Sequence, residues 1–72
     1  MVSAYPQEYR RLLGLLRAAR LASGMTQVEV AKRLRRPQSF VSKVESGERR
    51  LDPVELRHLA ELYGKSVSYF LR

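Results

Sequence analysis

The chain has 72 residues, no cysteine, and fourteen lysines and arginines against seven acids, for a formal net charge of +7 at pH 7. This length predicts one small domain, and the lack of cysteine excludes disulfides and thiolate metal sites. His58 alone cannot hold a metal ion, and no apolar run approaches the ~20 residues of a membrane span. We therefore expect a cytosolic protein with no metal, no cofactor and no membrane partner.

The positive charge is concentrated in the first two thirds of the chain, because residues 51–72 carry three basic and three acidic side chains. A basic domain with this asymmetry suits a polyanionic partner. Eleven of the basic residues are arginines and three are lysines, so an arginine-rich proteome is an alternative explanation. The net charge alone does not distinguish a polyanionic partner from an arginine-rich proteome.

The first helix is predicted over residues 7–23, after a lead-in from Met1 to Pro6 without periodicity. Apolar side chains recur every three or four residues on one face. They are Tyr9, Leu12, Leu13, Leu16 and Ala19. Arg20 continues this face, and a charge in such surroundings needs a partner. Gly24 ends the helix.

A second helix is predicted over residues 26–34. Thr26 stands three residues before Glu29, the spacing of a capping box in which each side chain satisfies a backbone N–H of the helix start. Pro37 prevents the helix from continuing, because the residue before a proline is pushed out of the α region.

A third helix is predicted over about residues 37–46. The chain restarts near Pro37, and the helix runs roughly from Gln38 to Ser46 and ends at Gly47. Phe40, Val41 and Val44 fall on one side. The other side is polar and nearly free of acids, and it carries Gln38, Ser39, Ser42, Lys43 and Ser46. Amides, hydroxyls and an amine are the groups that hydrogen-bond to the edges of DNA bases. This face is therefore a candidate for reading DNA sequence.

Two more helices are predicted over residues 52–63 and 66–71. Asp52 caps the first of them, Pro53 takes its first position and Glu55 completes a capping box. With five helices and no strand pattern, the chain predicts an all-α fold.

The stretch from Arg20 to Leu51 resembles the helix-turn-helix of the phage repressor and Cro type, also called the XRE family. The matching strings are GMTQ at 24–27, EVA at 29–31, RL at 33–34, PQSFVSK at 37–43 and ESGERRL at 45–51. The later helices match more loosely. The resemblance implies a single compact, five-helix, lambda-repressor-like DNA-binding domain over residues 1–72, with the helix-turn-helix at about 26–47.

Two residues of the turn depart from the family pattern. Arg35 stands where the family usually has a glycine with left-handed backbone angles. A non-glycine residue in that conformation costs on the order of 1 kcal/mol. Arg36 follows where an apolar residue is common. Two explanations stay open: the arginines meet DNA phosphates, or they are only solvated.

The resemblance also implies roles for single residues. Arg20 should pair with Glu45 and tie the first helix to the end of the third. The residues expected to contact bases are Gln38, Ser39, Ser42 and Lys43. The residues expected to contact phosphates are Gln27, Arg36, Ser46, Arg49 and Arg50. For the last two, solvated loop charge is the alternative.

One such domain reads only a few base pairs, so specific binding should require a homodimer on two half-sites about 34 Å apart or a multiple of that. In several relatives the last helices form the dimer contact, which makes Tyr69, Phe70 and Leu71 the candidates here. The alternative is that Phe70 and Leu71 close the monomer core.

Three functions are weighed. The resemblance favours a regulator, and a repressor first, that binds double-stranded DNA. Such a protein is of prokaryotic or phage origin and is found on the nucleoid in the bacterial cytoplasm. RNA polymerase is a further possible partner. The second is an antitoxin or partner-binding module, for which a toxin-binding segment has little room. The third is an enzyme, but no Ser/His/acid or Cys/His set and no glycine-rich phosphate loop is present. No small-molecule ligand is expected.

Overall fold

In a computed structural model, which describes residues 6–72, all regular structure of that range is helical. The helices are α1 (Pro6–Ala22), α2 (Gln27–Leu34), α3 (Gln38–Ser46), α4 (Pro53–Leu62) and α5 (Val67–Phe70). The predicted all-α fold is confirmed. The lead-in expected at the N-terminus lies outside the described residues, apart from Pro6, which already belongs to α1. Within residues 6–72 no helix is long and apolar enough to cross a membrane.

The core is built around α3, which packs against α1 and α2, while α5 packs against α1 and α4. Every helix contributes apolar side chains to it. The buried residues are Leu12, Leu16, Ala19, Val30, Ala31, Phe40, Val41, Val44, Leu56, Leu59, Ala60, Tyr63 and Phe70. Since one face of α3 is buried in this core, its opposite face is held toward solvent.

Both predicted capping boxes are present. In α2, Thr26 Oγ1 accepts from the Glu29 N–H at 3.1 Å, and the Glu29 carboxylate accepts from the Thr26 N–H at 2.8 Å. In α4, the Glu55 N–H donates to Asp52 at 2.8 Å and the Asp52 N–H donates to Glu55 at 3.1 Å. A capping side chain stabilises a helix by about 1 kcal/mol, so these pairs fix where α2 and α4 begin.

The third helix spans Gln38–Ser46, which agrees with its predicted limits to within one residue. Pro37 does not lie in the first turn; it is the N-cap of α3, with φ −63° and an extended ψ of 152°. Its carbonyl accepts the first hydrogen bond, from the Phe40 N–H at 3.0 Å. The limits predicted for the other helices differ by no more than one residue at each end. For α2, α4 and α5 the predicted start was the capping residue, which is extended and lies outside the helix, whereas α1 begins and ends one residue earlier than predicted.

The α2–α3 turn places Arg35 in the left-handed region, with φ 57° and ψ 44°. The next N–H, that of Arg36, donates to the Ala31 carbonyl at 2.9 Å and closes α2. Gly47 ends α3 with φ 85°. A Cβ at Gly47 would make an ordinary contact, 3.4 Å from the end of the Leu13 side chain, so the backbone angle is what favours glycine there.

Candidate nucleic-acid interface

The face of α3 that points away from the core is wholly exposed and contains no acid. Phe40, Val41 and Val44 are at most 7% exposed and anchor the opposite face. The exposed side chains are Gln38, Ser39, Ser42, Lys43 and Ser46. The structure thus brings all four residues expected to contact bases onto one surface, two turns of helix in length.

Glu45 is the centre of a cluster on one flank of this face. Arg20 donates to the Glu45 carboxylate through Nε at 2.7 Å and Nη2 at 3.2 Å, and to the Met25 carbonyl through Nη1 at 3.0 Å. Arg20 is 7% exposed, and the hydrogen bond to Glu45 raises its pKa. The two residues that the resemblance implies as a pair are therefore in contact, and they join α1 to the last turn of α3.

Gln27 extends this cluster to the first residue of α3. Its Nε2 donates to Glu45 at 3.0 Å, so its Oε1 is left to accept from Gln38 Nε2 at 3.4 Å. The contact with Gln38 is long for an N–H···O hydrogen bond, so it restrains the exposed Gln38 amide only weakly. Gln27 lies at the N-terminus of α2, where backbone N–H groups and the helix dipole favour an anion.

Glu55 is the centre of a second cluster on the opposite flank. Arg36 Nη2 lies 2.6 Å from its carboxylate, and Arg49 donates to it through Nη1 at 2.9 Å and Nη2 at 3.0 Å. Both guanidinium groups also lie on the Phe40 ring, at 4.2 and 4.8 Å from its centroid. The hydrogen bonds from Arg49 lower the pKa of Glu55 to about 2, so this carboxylate is charged at neutral pH.

The loop after α3 is fastened to α1. The Arg50 guanidinium lies 4.2 Å from the centroid of the Tyr9 ring, and the Leu51 N–H donates to the Tyr9 hydroxyl at 3.2 Å. Arg49 also donates to the Arg50 carbonyl at 3.1 Å. The loop therefore presents two ordered arginines beside the C-terminus of α3.

The five residues expected to contact phosphates lie around the α3 face, but each already has a protein partner. Gln27, Arg36, Arg49 and Arg50 make the contacts described above. Ser46 Oγ donates to the Lys43 carbonyl at 3.1 Å. A phosphate would have to share these groups or displace their present partners.

Sequence reasoning missed that Glu55 gathers Arg36 and Arg49, and it identified Glu55 only as part of a capping box. It also assigned Phe40 to the core alone, without its two guanidinium contacts. The available signal was the pair of arginines at each end of α3. Arg36 is 19 residues from Glu55 and Arg49 is six residues from it, and neither separation is a helical i,i+3 or i,i+4 spacing that would predict the pair.

The C-terminal candidates for a dimer contact separate in the structure. Phe70 is 1% exposed and belongs to the monomer core, whereas Leu71 is 64% exposed. Phe70 thus closes the monomer core, which is the alternative that the sequence left open, and the dimer contact stays a prediction. Tyr69 is half-buried and packs edge-on against Phe70, with ring centroids 5.1 Å apart.

Two helices joined by a tight turn, the second exposing a polar face flanked by basic residues, define a helix-turn-helix DNA-binding protein. A family model described as a helix-turn-helix domain matches residues 11–68. Among solved structures, the chain is similar to an XRE-family like protein from Pseudomonas syringae pv. tomato str. DC3000. Sequence identity is 48% and the TM-score 0.87, over 93% of this chain and 82% of that chain. Comparison with curated proteins finds no match.

The chain therefore belongs to the XRE-type helix-turn-helix family. It is a DNA-binding regulator, as the sequence predicted.

Proposed function

We propose that the protein is a repressor that binds a palindromic operator as a homodimer and inserts α3 into the major groove of each half-site. The observation that carries this proposal is the exposed, acid-free face of α3. A helix exposed only for solubility does not need a face made of one amide, three hydroxyls and one amine. Because such a regulator acts on the chromosome, we place it on the nucleoid in the cytoplasm.

Four side chains are proposed to contact base edges. Gln38 suits adenine, to which an amide can make two hydrogen bonds, and Lys43 suits the acceptors of guanine. Ser39 and Ser42 can donate to or accept from several bases. A good bidentate contact contributes about 1–3 kcal/mol of discrimination, so Gln38 should be the strongest determinant of sequence.

Phosphate contacts are proposed on both flanks of α3. Gln27 would contact one strand from the N-terminus of α2. Arg36 and the loop from Ser46 to Arg50 would contact the other. Such contacts hold the protein in register and carry no sequence information directly, so their loss should weaken all DNA sequences equally.

The dimer contact is proposed at Leu71 with Tyr69. A depression of about 240 Å³ lies between α1 and α5. Its apolar lining is Tyr9, Leu12, Phe70 and Leu71, and its charged lining is Glu8, Arg11, Arg50 and Arg72. A two-fold dimer uses the same surface on both subunits, and an exposed leucine beside a partly apolar depression is suited to that arrangement. The dimer would block a promoter by occupying two half-sites.

Selection from a random duplex library at near-physiological salt tests the proposal, with the unmodified protein, Gln38→Ala and Arg50→Ala run in parallel. The unmodified protein should enrich a two-fold symmetric motif with half-sites about one helical turn apart. Gln38→Ala should lose preference at one base position of each half-site. Arg50→Ala should keep the motif, bind all sequences more weakly and reduce the salt slope by about one.

Enrichment of an asymmetric single site would refute the dimer on a palindrome. An unchanged motif for Gln38→Ala would refute its role at a base. Salt-sensitive binding without any enrichment would refute sequence-specific recognition.

A further inference from the structure

Glu55 joins parts of the proposed DNA-binding surface that are far apart in sequence. Arg36 comes from the turn before α3 and Arg49 from the loop after it. One carboxylate on α4 binds both at 2.6 to 3.0 Å. The Phe40 ring lies against both guanidinium groups. The two arginines are therefore held at a fixed spacing by one acid and one ring.

The cluster leaves the arginines available to a further ligand. The Glu55 side chain is 12% exposed, whereas those of Arg36 and Arg49 are each 40% exposed. A guanidinium has five N–H donors. Arg36 gives only Nη2 to Glu55, so an anion could bind its remaining donors while the ion pair is kept. Arg49 gives Nη1 and Nη2 to Glu55 and Nη1 to the Arg50 carbonyl, which leaves its Nε–H and the second N–H of Nη2 for an anion.

We propose that Glu55 is a positioning residue for DNA binding, which orders Arg36 and Arg49 so that both meet phosphates along one strand. This inference rests on the proposed function. On charge alone, Glu55 should repel DNA. Under this proposal it instead makes a favourable contribution to DNA affinity.

Two opposing effects decide whether Glu55 strengthens or weakens DNA binding. The rotamer entropy of a free arginine corresponds to a loss in affinity of up to about 30-fold when the side chain is immobilised. Glu55 removes part of this loss for two arginines. Its repulsion of a phosphate about 7 Å away amounts to about threefold in bulk water and roughly fiftyfold at an effective dielectric constant of 20. Glu55 orders two arginines, and water around their 40% exposed side chains keeps the repulsion toward the lower of these values, so ordering should outweigh repulsion.

The test compares Glu55→Gln with Glu61→Gln. Both variants remove one negative charge from α4, but Glu61 is exposed and pairs only loosely with Arg57, at 3.6 Å. Glutamine at position 55 can still complete the capping box, so α4 keeps its start. Affinity for a duplex containing the selected site, or for calf-thymus DNA if no site is enriched, is measured by fluorescence anisotropy over a range of salt concentrations.

Glu61→Gln should bind as tightly as the unmodified protein or slightly more tightly. Glu55→Gln should bind about three- to tenfold more weakly than Glu61→Gln. Its salt slope should also be less steep by about one, because a phosphate contact is lost. Equal or tighter binding by Glu55→Gln would overturn the positioning role.

A second comparison uses the background Arg36→Gln with Arg49→Gln, in which Glu55 has no arginine left to position. There Glu55→Gln should no longer weaken binding, and a loss that persists would overturn the inference even if the first comparison agreed with it. This arm also separates positioning from a general loss of folding. If the unmodified protein bound no duplex at low salt, the proposed function would fail and this inference with it. Normal binding with matched Glu55→Gln and Glu61→Gln affinities would overturn this inference alone.

Discussion

At the scale of single residues, two acids hold most of the polar structure around α3. Glu45 binds Arg20 and Gln27, and Glu55 binds two arginines while capping α4. Arg20 is the one charged residue among the buried side chains of residues 6–72. Removal of its carboxylate partner would leave a buried charge uncompensated, which costs far more than loss of an exposed ion pair.

Glu45→Ala should therefore lower the free energy of unfolding by roughly 3–5 kcal/mol. A domain of this length is expected to have a total of only about 4–11 kcal/mol, so the melting temperature should fall by more than about 10 °C. Thermal unfolding followed by circular dichroism measures this. Glu48→Ala, at an exposed loop position three residues away, makes the same change in charge and should shift the midpoint little. Similar midpoints for the two variants would show that the Arg20 pair contributes nothing to stability.

Glu55 also predicts how stability depends on pH. Its pKa in the folded protein is about 2, below the value of 4.5 for an unperturbed glutamate. Stability from this group is therefore fully present above pH 4.5 and lost as the pH falls toward 2. Because its arginine partners are partly exposed, we expect a loss on the order of 1–2 kcal/mol. Urea unfolding at pH 5 and pH 2.5 should show a smaller acid loss for Glu55→Gln than for the unmodified protein. An identical loss would contradict the expectation.

At the scale of helices, the sequence predicted the features that depend on residues close to one another along the chain. The capping pairs and the 3.6-residue period located every helix to within about one residue, and the same period identified the exposed face of α3. The N-cap role of Pro37 was missed because proline suits both the cap and the first turn, and only the extended ψ distinguishes them. The Glu55 cluster was missed because packing of α4 against the α2–α3 turn creates it.

The α2–α3 turn gives a prediction for this scale. Arg35 is the non-glycine residue with positive φ among residues 6–72, and this conformation costs an L-residue roughly 1–2 kcal/mol. Arg35→Gly removes that cost but adds freedom to the unfolded chain, so the free energy of unfolding should rise by about 0.5–1 kcal/mol. Arg33→Gly removes the same charge from within α2 and should instead lower it by about 1 kcal/mol. Urea titrations would show both changes, and a decrease for Arg35→Gly would contradict strain at this turn.

At the scale of the whole molecule, the surface proposed for DNA and the contact proposed for the dimer adjoin at Arg50. Arg50 follows the C-terminus of α3 and also lines the α1–α5 depression beside Leu71. A chain of this size buries only about 60% of its unfolded surface and has a narrow stability margin. Pairing through Leu71 would cover apolar surface and place two α3 helices on one duplex, so that dimerisation supports folding and recognition together.

Leu71→Lys should therefore disrupt the dimer and leave the monomer folded, since Leu71 is 64% exposed. Sedimentation should show a shift to monomer, and binding to a full operator should weaken at least tenfold, the loss expected when two sites are no longer linked. Binding to an isolated half-site should stay the same or strengthen slightly from the added positive charge. Leu21→Lys is the matched control for the oligomeric state, because Leu21 is 58% exposed on α1 and outside the proposed dimer contact. Since Leu21 lies beside Gln27 and Gln38, the added charge should strengthen DNA binding by this variant slightly. A dimer that survived Leu71→Lys but not Leu21→Lys would place the interface on α1. Loss of half-site binding with either variant would mean that the substituted residue belongs to the DNA-binding surface.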